Sequence, residues 1–296
     1  MGRFLNERAI VFRCLGDDLV GIIHDPGRPS RRGLVIVVGG PQYRVGSHRS
    51  FVLLARFLAT AGIPVFRFDY RGLGDSDGDF LGFEHLRDDI AAAIDAFLIA
   101  QQGLDQVVLW GLCDAASAAL CYAPTDSRVT GVVLANPWVR SEATLARATL
   151  RHYYRDRVMQ KAFWAKLLRG RLDPIAAARS FRDVVSRANS ADRAPPDAVV
   201  SSSTLSPAAS ADPTPLPERM AEALRRYTGQ VLLIMSGRDL TAREFDDVIA
   251  SSQCWRRGMR TRQVVRIDLA GCDHTFSRRQ WRDDVARATQ GWLESW

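Results

Sequence analysis

The chain has 296 residues, of which 47% are hydrophobic and 25% are charged, and its formal net charge is +7. No apolar run approaches the roughly 18 residues that span a bilayer, and the first ten residues lack a signal-peptide core, so we expect a cytoplasmic protein. The positive charge comes almost entirely from arginines that are interleaved with acidic residues and form no run of five, which argues against a nucleic-acid partner.

The first half of the chain predicts strands that alternate with helices after an antiparallel pair joined by a turn at "LGDD". In order, the predicted elements are strands 8–14, 18–24 and 33–40, helix 48–62, strand 63–70, helix 84–102, strand 106–110, helix 113–123 and strand 129–135. Repeated strand–helix units favour an α/β fold with a mostly parallel sheet and helices on both faces.

A different composition then interrupts this alternation. Residues 140–182 are rich in helix-favouring residues and aromatics, whereas the segment at about 190–217 holds six of the thirteen prolines and few large apolar side chains. Such a segment buries too little surface to offset its ordering entropy, so we expect it to be flexible. We interpret residues 140–217 as a helical lid or cap insertion between two parts of the core, residues 1–139 and 218–296.

Three reactive side chains follow predicted strands directly. The alternation resumes with strand 230–235, helix 241–256, strand 263–269 and helix 279–295. Ligands of open α/β sheets bind beyond the carboxyl ends of the strands. Cys113, Asp239 and His274 occupy such positions, in the order nucleophile, acid, histidine, which is one of the known orders of catalytic triads.

Each of these residue types suits the role that its position suggests. A thiolate just ahead of a helix is stabilised by the unpaired N–H groups of the first turn. A neutral imidazole can take the thiol proton, and a carboxylate on its other nitrogen fixes the ring. The small residues Gly111 and Ala115 permit a sharp turn around Cys113. We therefore predict Cys113 as nucleophile, His274 as base and Asp239 as the acid.

Alternative interpretations remain for these residues. Cysteine is often a small buried residue, and the five cysteines of this chain are scattered without disulfide or metal-ligand spacing. Asp268 and Asp273 compete with Asp239, although the first lies within a strand and the second is adjacent to His274. The position after strand 129–135 carries an asparagine and supplies no acid.

Several segments of the chain also carry a family resemblance. "VFRFDYRGLGDSDGD" (65–79) resembles the strand-four signature of the α/β-hydrolase superfamily. Together with "VVGGPQYRVGSHR", "GLCDAASAAL", "NPWVRSE", "LLIMSGRDLTAREF" and "DHTFSRRQWRD", it is similar to the first type of exosortase A system-associated hydrolase. This resemblance implies an α/β-hydrolase fold and a cytoplasmic hydrolase linked to exopolysaccharide production and to sorting of C-terminally tagged exported proteins in Gram-negative bacteria. It implies no particular substrate.

Two features depart from the general superfamily pattern. The turn reads Gly-x-Cys-x-Ala in place of Gly-x-Ser-x-Gly, and "GGPQ" (39–42) replaces the usual His-Gly start of the oxyanion loop. Pro41 has no N–H to offer. The oxyanion donors are then expected to be Gln42, by its backbone or side-chain amide, and the N–H of Asp114.

The carboxylate of Asp114 raises a second question. A negative charge beside the sulfur disfavours the thiolate unless the carboxylate points away or pairs with an arginine. Arg44, His48 and Arg49, on the segment after strand 33–40, are candidates for that pairing or for binding an anionic substrate.

The leading functional prediction is a hydrolase that cleaves an acyl ester or thioester through an acyl-enzyme. Its substrate is expected to be a small-molecule or a lipid- or sugar-linked acyl compound, and the chemistry calls for no metal or organic cofactor. An acyltransferase that uses a sugar hydroxyl as acceptor and a non-catalytic scaffold with the same fold are the alternatives.

Overall fold

A sheet of eight strands organises the residues that the computed structural model describes, which are 6–40, 42–140, 214–261 and 263–296. The strands are β1 (Asn6–Cys14), β2 (Asp17–Asp25), β3 (Arg32–Val37), β4 (Val65–Phe68), β5 (Gln106–Leu112), β6 (Val129–Ala135), β7 (Gln230–Ser236) and β8 (Val264–Leu269). The α-helices of these ranges are α1 (Ser50–Thr60), α2 (Arg87–Ala100), α3 (Asp114–Tyr122), α4 (Leu216–Arg226), α5 (Leu240–Ser251), α6 (Gln253–Gly258) and α7 (Arg279–Leu293). None of these helices is long and apolar enough to cross a membrane.

The strands follow the order β1-β2-β4-β3-β5-β6-β7-β8 across the sheet. β2 is antiparallel to both of its neighbours, β1 and β4, and every other neighbouring pair is parallel. The carboxyl ends of β3 to β8 therefore lie along one edge of the sheet. The predicted architecture, a mostly parallel sheet opened by an antiparallel pair and flanked by helices, is confirmed.

Helices cover both faces of the central strands, which explains why those strands are apolar almost throughout. All four residues of β4 are buried, and so are the last five residues of β3. Neighbouring residues of a strand point to opposite faces. Accordingly Gly111 of β5 faces α3, whereas Trp110 and Leu112 lie beside α1 and α7.

The structure corrects one predicted helix and adds another. Predicted helix 241–256 is two helices, α5 and α6, because Ser252 leaves the helical conformation and caps α6 with its hydroxyl oxygen. Helix α4 is missing from the sequence prediction. It begins at Leu216, two residues inside the segment that we expected to be flexible, and both Leu216 and Pro217 are buried.

The rest of the predicted insertion falls on residues that the structure does not describe. Only Arg140 and residues 214–217 of the range 140–217 are described. The lid or cap therefore stays a prediction.

Candidate active site

Cys113 lies at the sharp turn between β5 and α3, with φ 63° and ψ −126°. A positive φ is strained for a residue with a side chain and persists only where the surroundings enforce it. The Cys113 N–H donates to the carbonyl of Ala135 at 2.9 Å, and its own carbonyl accepts the N–H of Trp138 at 3.1 Å. The turn is thus held by backbone contacts to β6 and the segment after it, and it presents a half-buried thiol at the carboxyl edge of the sheet.

Small residues around the turn are required by close packing. A Cβ on Gly111 would come within 2.5 Å of the carbonyl carbon of Ala115, and one on Gly39 would come within 2.6 Å of the Leu112 carbonyl oxygen. Both clashes involve backbone atoms, which cannot move aside cheaply. The glycines therefore allow β3, β5 and α3 to converge where Cys113 emerges.

His274 and Asp239 form a hydrogen-bonded pair at the same edge. Nδ1 of His274 lies 2.8 Å from Oδ2 of Asp239. The carboxylate also accepts the N–H groups of Thr241 and Ala242, each at 3.2 Å, as the N-cap of α5. The Asp239 side chain is 6% exposed, against 32% for His274. A carboxylate fixed in this way orients the imidazole and leaves Nε2 as the nitrogen that can exchange a proton.

The two competing acids have other partners. The Asp273 carboxylate accepts the N–H of Ser277 at 2.9 Å and also its hydroxyl. Asp268 pairs with Arg266 at 2.7 Å. Of the three aspartates, Asp239 is the one that contacts the imidazole.

Asn136 follows β6 directly, at a position that was expected to supply no catalytic acid. Its side chain holds the backbone of His274. Its side-chain amide donates to the carbonyl oxygen of His274 and to Oγ of Ser236, both at 2.9 Å. Its side-chain oxygen accepts the Ser236 N–H at 2.8 Å, and the Ser236 hydroxyl donates to the Asp273 carbonyl at 2.9 Å. A polar residue directly after a buried strand is the only signal that could have drawn attention to it.

The segment after β6 connects the two halves of the site. Asn136 holds the carbonyl of His274, and Trp138 donates its N–H to the carbonyl of Cys113. The three predicted triad residues are therefore brought to one edge of the sheet.

Gln42 offers only its side chain as a candidate oxyanion donor. Its backbone N–H is directed to the carbonyl of Gly40 at 2.8 Å. Its side-chain oxygen accepts the N–H of Ser47 at 3.0 Å and the Ser47 hydroxyl at 3.2 Å, which fixes the orientation of the amide. Of the two alternatives that the sequence left open, the backbone donor is the one already in use. Pro41 lies outside the described residues.

Backbone N–H groups, and not the arginine that the sequence suggested, hold the Asp114 carboxylate. Both of its oxygens lie 2.9 Å from the Gly40 nitrogen, and one also accepts the N–H of Ala115 at 2.9 Å. Burial raises the pKa of this carboxyl, although the backbone hydrogen bonds and the charge of His274 oppose the rise. The contact ties the loop after β3 to the turn at Cys113.

The Arg44 guanidinium pairs with two carboxylates of the loop after β4. One is the buried carboxylate of Asp69, and the other, at 2.6 Å, is that of Asp75. The Arg44 backbone N–H also donates to Asp69 at 2.6 Å. These contacts occupy the side chain that was predicted to bind an anion or to neutralise Asp114.

His48 and Arg49 are exposed near the start of α1, where their φ angles are 54° and 59°. The carbonyl of His48 accepts a hydrogen bond from the Arg282 guanidinium at 2.9 Å, which joins this loop to α7. A role of His48 or Arg49 in substrate binding stays a prediction.

Comparisons with known proteins agree with this architecture. A model of the alpha/beta hydrolase family matches residues 34–288. No curated protein matches the chain. An esterase from Pyrococcus furiosus superposes with a TM-score of 0.64 at 13% identity, over 99% of this chain and 92% of that one. The protein Est1E from Butyrivibrio proteoclasticus superposes with a TM-score of 0.60 at 14% identity, over 97% of each chain. At such identities the likeness to the solved structures is one of fold.

Proposed function

The chain belongs to the alpha/beta hydrolase family, and on that basis we propose that it hydrolyses a carboxylic ester or thioester through Cys113, His274 and Asp239. The observation that carries the proposal is the 2.8 Å contact between His274 and Asp239, at the edge where the strained turn presents Cys113. The fold that the chain shares with an esterase supports hydrolytic chemistry in general terms.

The first half of the proposed reaction forms an acyl-enzyme. His274 Nε2 takes the proton of the Cys113 thiol, and the thiolate adds to the carbonyl carbon of the substrate. Asp239, held as the cap of α5, stabilises the resulting imidazolium. The tetrahedral intermediate collapses when the carbon–oxygen or carbon–sulfur bond breaks, and His274 returns the proton to the leaving alcohol or thiol.

The second half releases the acid and restores the thiol. Water loses a proton to His274 and adds to the thioester carbonyl of the acyl-enzyme. Collapse of this second intermediate expels the Cys113 thiolate, which regains its proton from His274. Because a thiolate leaves more readily than an amine, the same site favours esters and thioesters over amides.

The negative oxygen of each intermediate needs hydrogen-bond donors. The N–H of Asp114, one residue beyond the nucleophile, is one proposed donor. The side-chain NH₂ of Gln42 is the other, because Ser47 anchors the oxygen of that amide and thereby directs its nitrogen. Removal of one such donor typically lowers kcat about 10²- to 10³-fold.

The physiological setting rests on sequence motifs alone. The segments that resemble the exosortase A system-associated hydrolases support a role beside exopolysaccharide production, in the cytoplasm. Deletion of the gene in its own bacterium, with the amount of exported polysaccharide as readout, tests this association. An unchanged amount of exported polysaccharide would contradict this association, but it would not bear on the proposed hydrolysis.

A non-catalytic scaffold is the second candidate, and one observation favours it. The N–H groups of Gly40 and Gln42, which the loop after β3 could have offered to an oxyanion, are both occupied, one by the Asp114 carboxylate and one by the Gly40 carbonyl. A scaffold would keep the fold and the His274–Asp239 contact but show no turnover.

Trapping of the acyl-enzyme separates the two candidates. We would incubate the wild-type chain, Cys113→Ala and His274→Ala with para-nitrophenyl acetate and with S-phenyl thioacetate. The proposal predicts multiple turnovers and an acetyl group on the Cys113 peptide in the wild type, no turnover in Cys113→Ala, and slow acylation in His274→Ala. Turnover that persists in Cys113→Ala, or a folded wild type with neither adduct nor turnover, would contradict it.

A further inference from the structure

The last strand of the sheet, β8, has a neighbour on one side only among the strands that the structure describes. Two hydrogen bonds show which of its residues face that neighbour. The N–H of Val231 in β7 donates to the Gln263 carbonyl at 2.7 Å. The N–H of Gly237, after β7, donates to the Leu269 carbonyl at 3.0 Å. Because the backbone groups of successive strand residues point in opposite directions, the odd-numbered residues of β8 bond to β7 and the even-numbered ones face the open edge.

The residues at the middle of this open edge carry opposite charges. Among the described residues, Arg266 and Asp268 leave their backbone N–H and C=O groups at the edge, whereas the N–H of Val264 is bonded within a turn. On the side of α5, the Arg266 guanidinium pairs with Asp246 at 2.6 Å and with Asp268 at 2.7 Å. The opposite side of the strand carries the apolar residues Val265, Ile267 and Leu269. Charges on an edge strand usually prevent it from pairing with another chain, so a partner of this edge must match them.

An antiparallel second copy of β8 matches these charges in one register. When the twofold axis passes beside Ile267, Arg266 lies opposite Asp268 of the second copy, and Asp268 lies opposite its Arg266. The outward backbone groups of both residues then form hydrogen bonds across the two edges. The adjacent registers that also pair outward groups are shifted by two residues, and they place Arg266 or Asp268 opposite its own copy. Like charges directly opposite each other destabilise a strand pair, so the charges select the register centred on Ile267.

We propose that β8 is an interface between two copies of this chain, which pair antiparallel about Ile267 and continue the sheet from one copy into the other. Val265 of each copy then packs against Leu269 of the other, on the side away from the charges. A single strand pair is a small interface, and we expect association in the micromolar range. Pairing of this kind is independent of the proposed hydrolysis, because it uses none of the candidate catalytic residues.

Exchange of the two charges tests the register. Sedimentation equilibrium of the full chain across the micromolar range is expected to show a dimer. Arg266→Glu and Asp268→Arg each place like charges opposite each other at two points, so each should raise the dissociation constant about tenfold or more. An equimolar mixture of the two variants restores opposite charges at both points and should associate about as tightly as the wild type. Recovery in the mixture also shows that neither variant lost association by unfolding.

A disulfide tests the position of the twofold axis. The background is Cys254→Ser, which removes an exposed natural thiol. Directly opposite residues of a non-hydrogen-bonded pair have Cα atoms about 4.5 Å apart, within the range that a disulfide spans. Ile267→Cys should therefore form a disulfide with its own copy when oxidised glutathione is added. Val265→Cys is the matched control, because residue 265 is 41% exposed on the same side of β8 but its two copies would lie about 14 Å apart along the strands.

Three results would overturn the assignment of this interface. One is a wild type that stays monomeric throughout the micromolar range. Another is a dimer whose dissociation constant changes in neither charge variant, or a mixture that associates no more tightly than each variant alone. The third is a disulfide that forms in Val265→Cys as fast as in Ile267→Cys, since the more exposed position would be favoured by random collisions. Ester hydrolysis by a monomeric wild type would reject the interface and keep the proposed function.

Discussion

The side-chain amide of Asn136 donates a hydrogen bond to the carbonyl oxygen of His274 at 2.9 Å. Asn136 is completely buried, and its φ of 44° shows that the backbone after β6 is held in an unusual conformation. The residue thus sets the position of the loop that carries the proposed base, although it touches no reacting atom.

Asn136→Ala is expected to lower both activity and stability. The substitution leaves the Ser236 N–H and the His274 carbonyl without their partner, which costs about 1–3 kcal/mol for a buried group. A displaced His274 should lower kcat/KM by about 10²-fold, since small displacements of catalytic groups reduce the rate by about that factor. Thermal unfolding and steady-state kinetics measure the two effects. A stable variant with wild-type kinetics would show that the loop position does not depend on Asn136.

Asp239→Asn is expected to abolish most activity while preserving the fold. An asparagine still caps α5, so the melting temperature should change little. It offers His274 the wrong hydrogen-bonding group, and in serine proteases the matching change lowers kcat about 10⁴-fold because the imidazole takes the wrong tautomer. We expect a loss of about 10³- to 10⁴-fold here.

Asp273→Asn is the matched control for that variant. Its carboxylate is bonded to Ser277 and not to the imidazole, so kcat/KM should stay near the wild-type value. Similar losses in the two variants would mean that the acid of the site has been misassigned.

Gln42→Glu is expected to lower kcat about 10²- to 10³-fold with little change in KM. The glutamate keeps a side-chain oxygen for the Ser47 N–H and hydroxyl but loses the NH₂ that we assign to the oxyanion. Gln42→Ala should have a similar effect on kcat. Wild-type kcat in both variants would mean that a different group binds the oxyanion.

His24 is expected to make the protein less stable as the solution becomes acidic. It is completely buried, and its Nε2 accepts a hydrogen bond from Arg67 at 2.9 Å, which requires that nitrogen to be unprotonated. Burial, followed by the charge of Arg67, lowers the pKa of His24 to about 4, although Glu7 acts in the opposite direction. Because the unfolded histidine has a pKa of about 6.5, the unfolded chain binds more protons at mildly acidic pH.

This difference predicts a loss of about 3 kcal/mol in the free energy of unfolding as the pH falls from about 6.5 through about 4. The variant His24→Gln still offers an acceptor to Arg67 but does not titrate. Denaturant unfolding of both proteins at a series of pH values isolates the contribution of His24 as the difference between the two curves. Parallel curves would mean that His24 binds protons equally in the folded and the unfolded chain, so that the fold does not shift its pKa.

The sheet and the three candidate catalytic positions could be predicted because each depends on local sequence. The strands β3 to β6 are mostly apolar segments that alternate with helix-forming segments, and that pattern implies a parallel sheet. Once the sheet direction is known, the residues just beyond the strand ends must share an edge, which is how Cys113, Asp239 and His274 come together.

The supporting contacts could not be predicted because they join residues far apart in the chain. Asp114 and Gly40 are 74 positions apart, and Asn136 and His274 are 138 positions apart. Nothing in the local sequence of an aspartate or asparagine identifies which distant N–H or carbonyl it will meet. Helix α4 was missed for a different reason, since its proline-containing start continues the composition of the segment before it.

Alkylation of the cysteines tests most directly whether Cys113 is an activated nucleophile. The rate of iodoacetamide labelling would be followed site by site with mass spectrometry, at several pH values, in the wild type and in His274→Ala. Cys254 is exposed whereas Cys113 is only half-exposed, so accessibility alone favours Cys254. Our account predicts that Cys113 is labelled first in the wild type at neutral pH and slows markedly in His274→Ala, while Cys254 is unaffected. Faster labelling of Cys254 at every pH, with Cys113 indifferent to the loss of His274, would contradict the proposed triad.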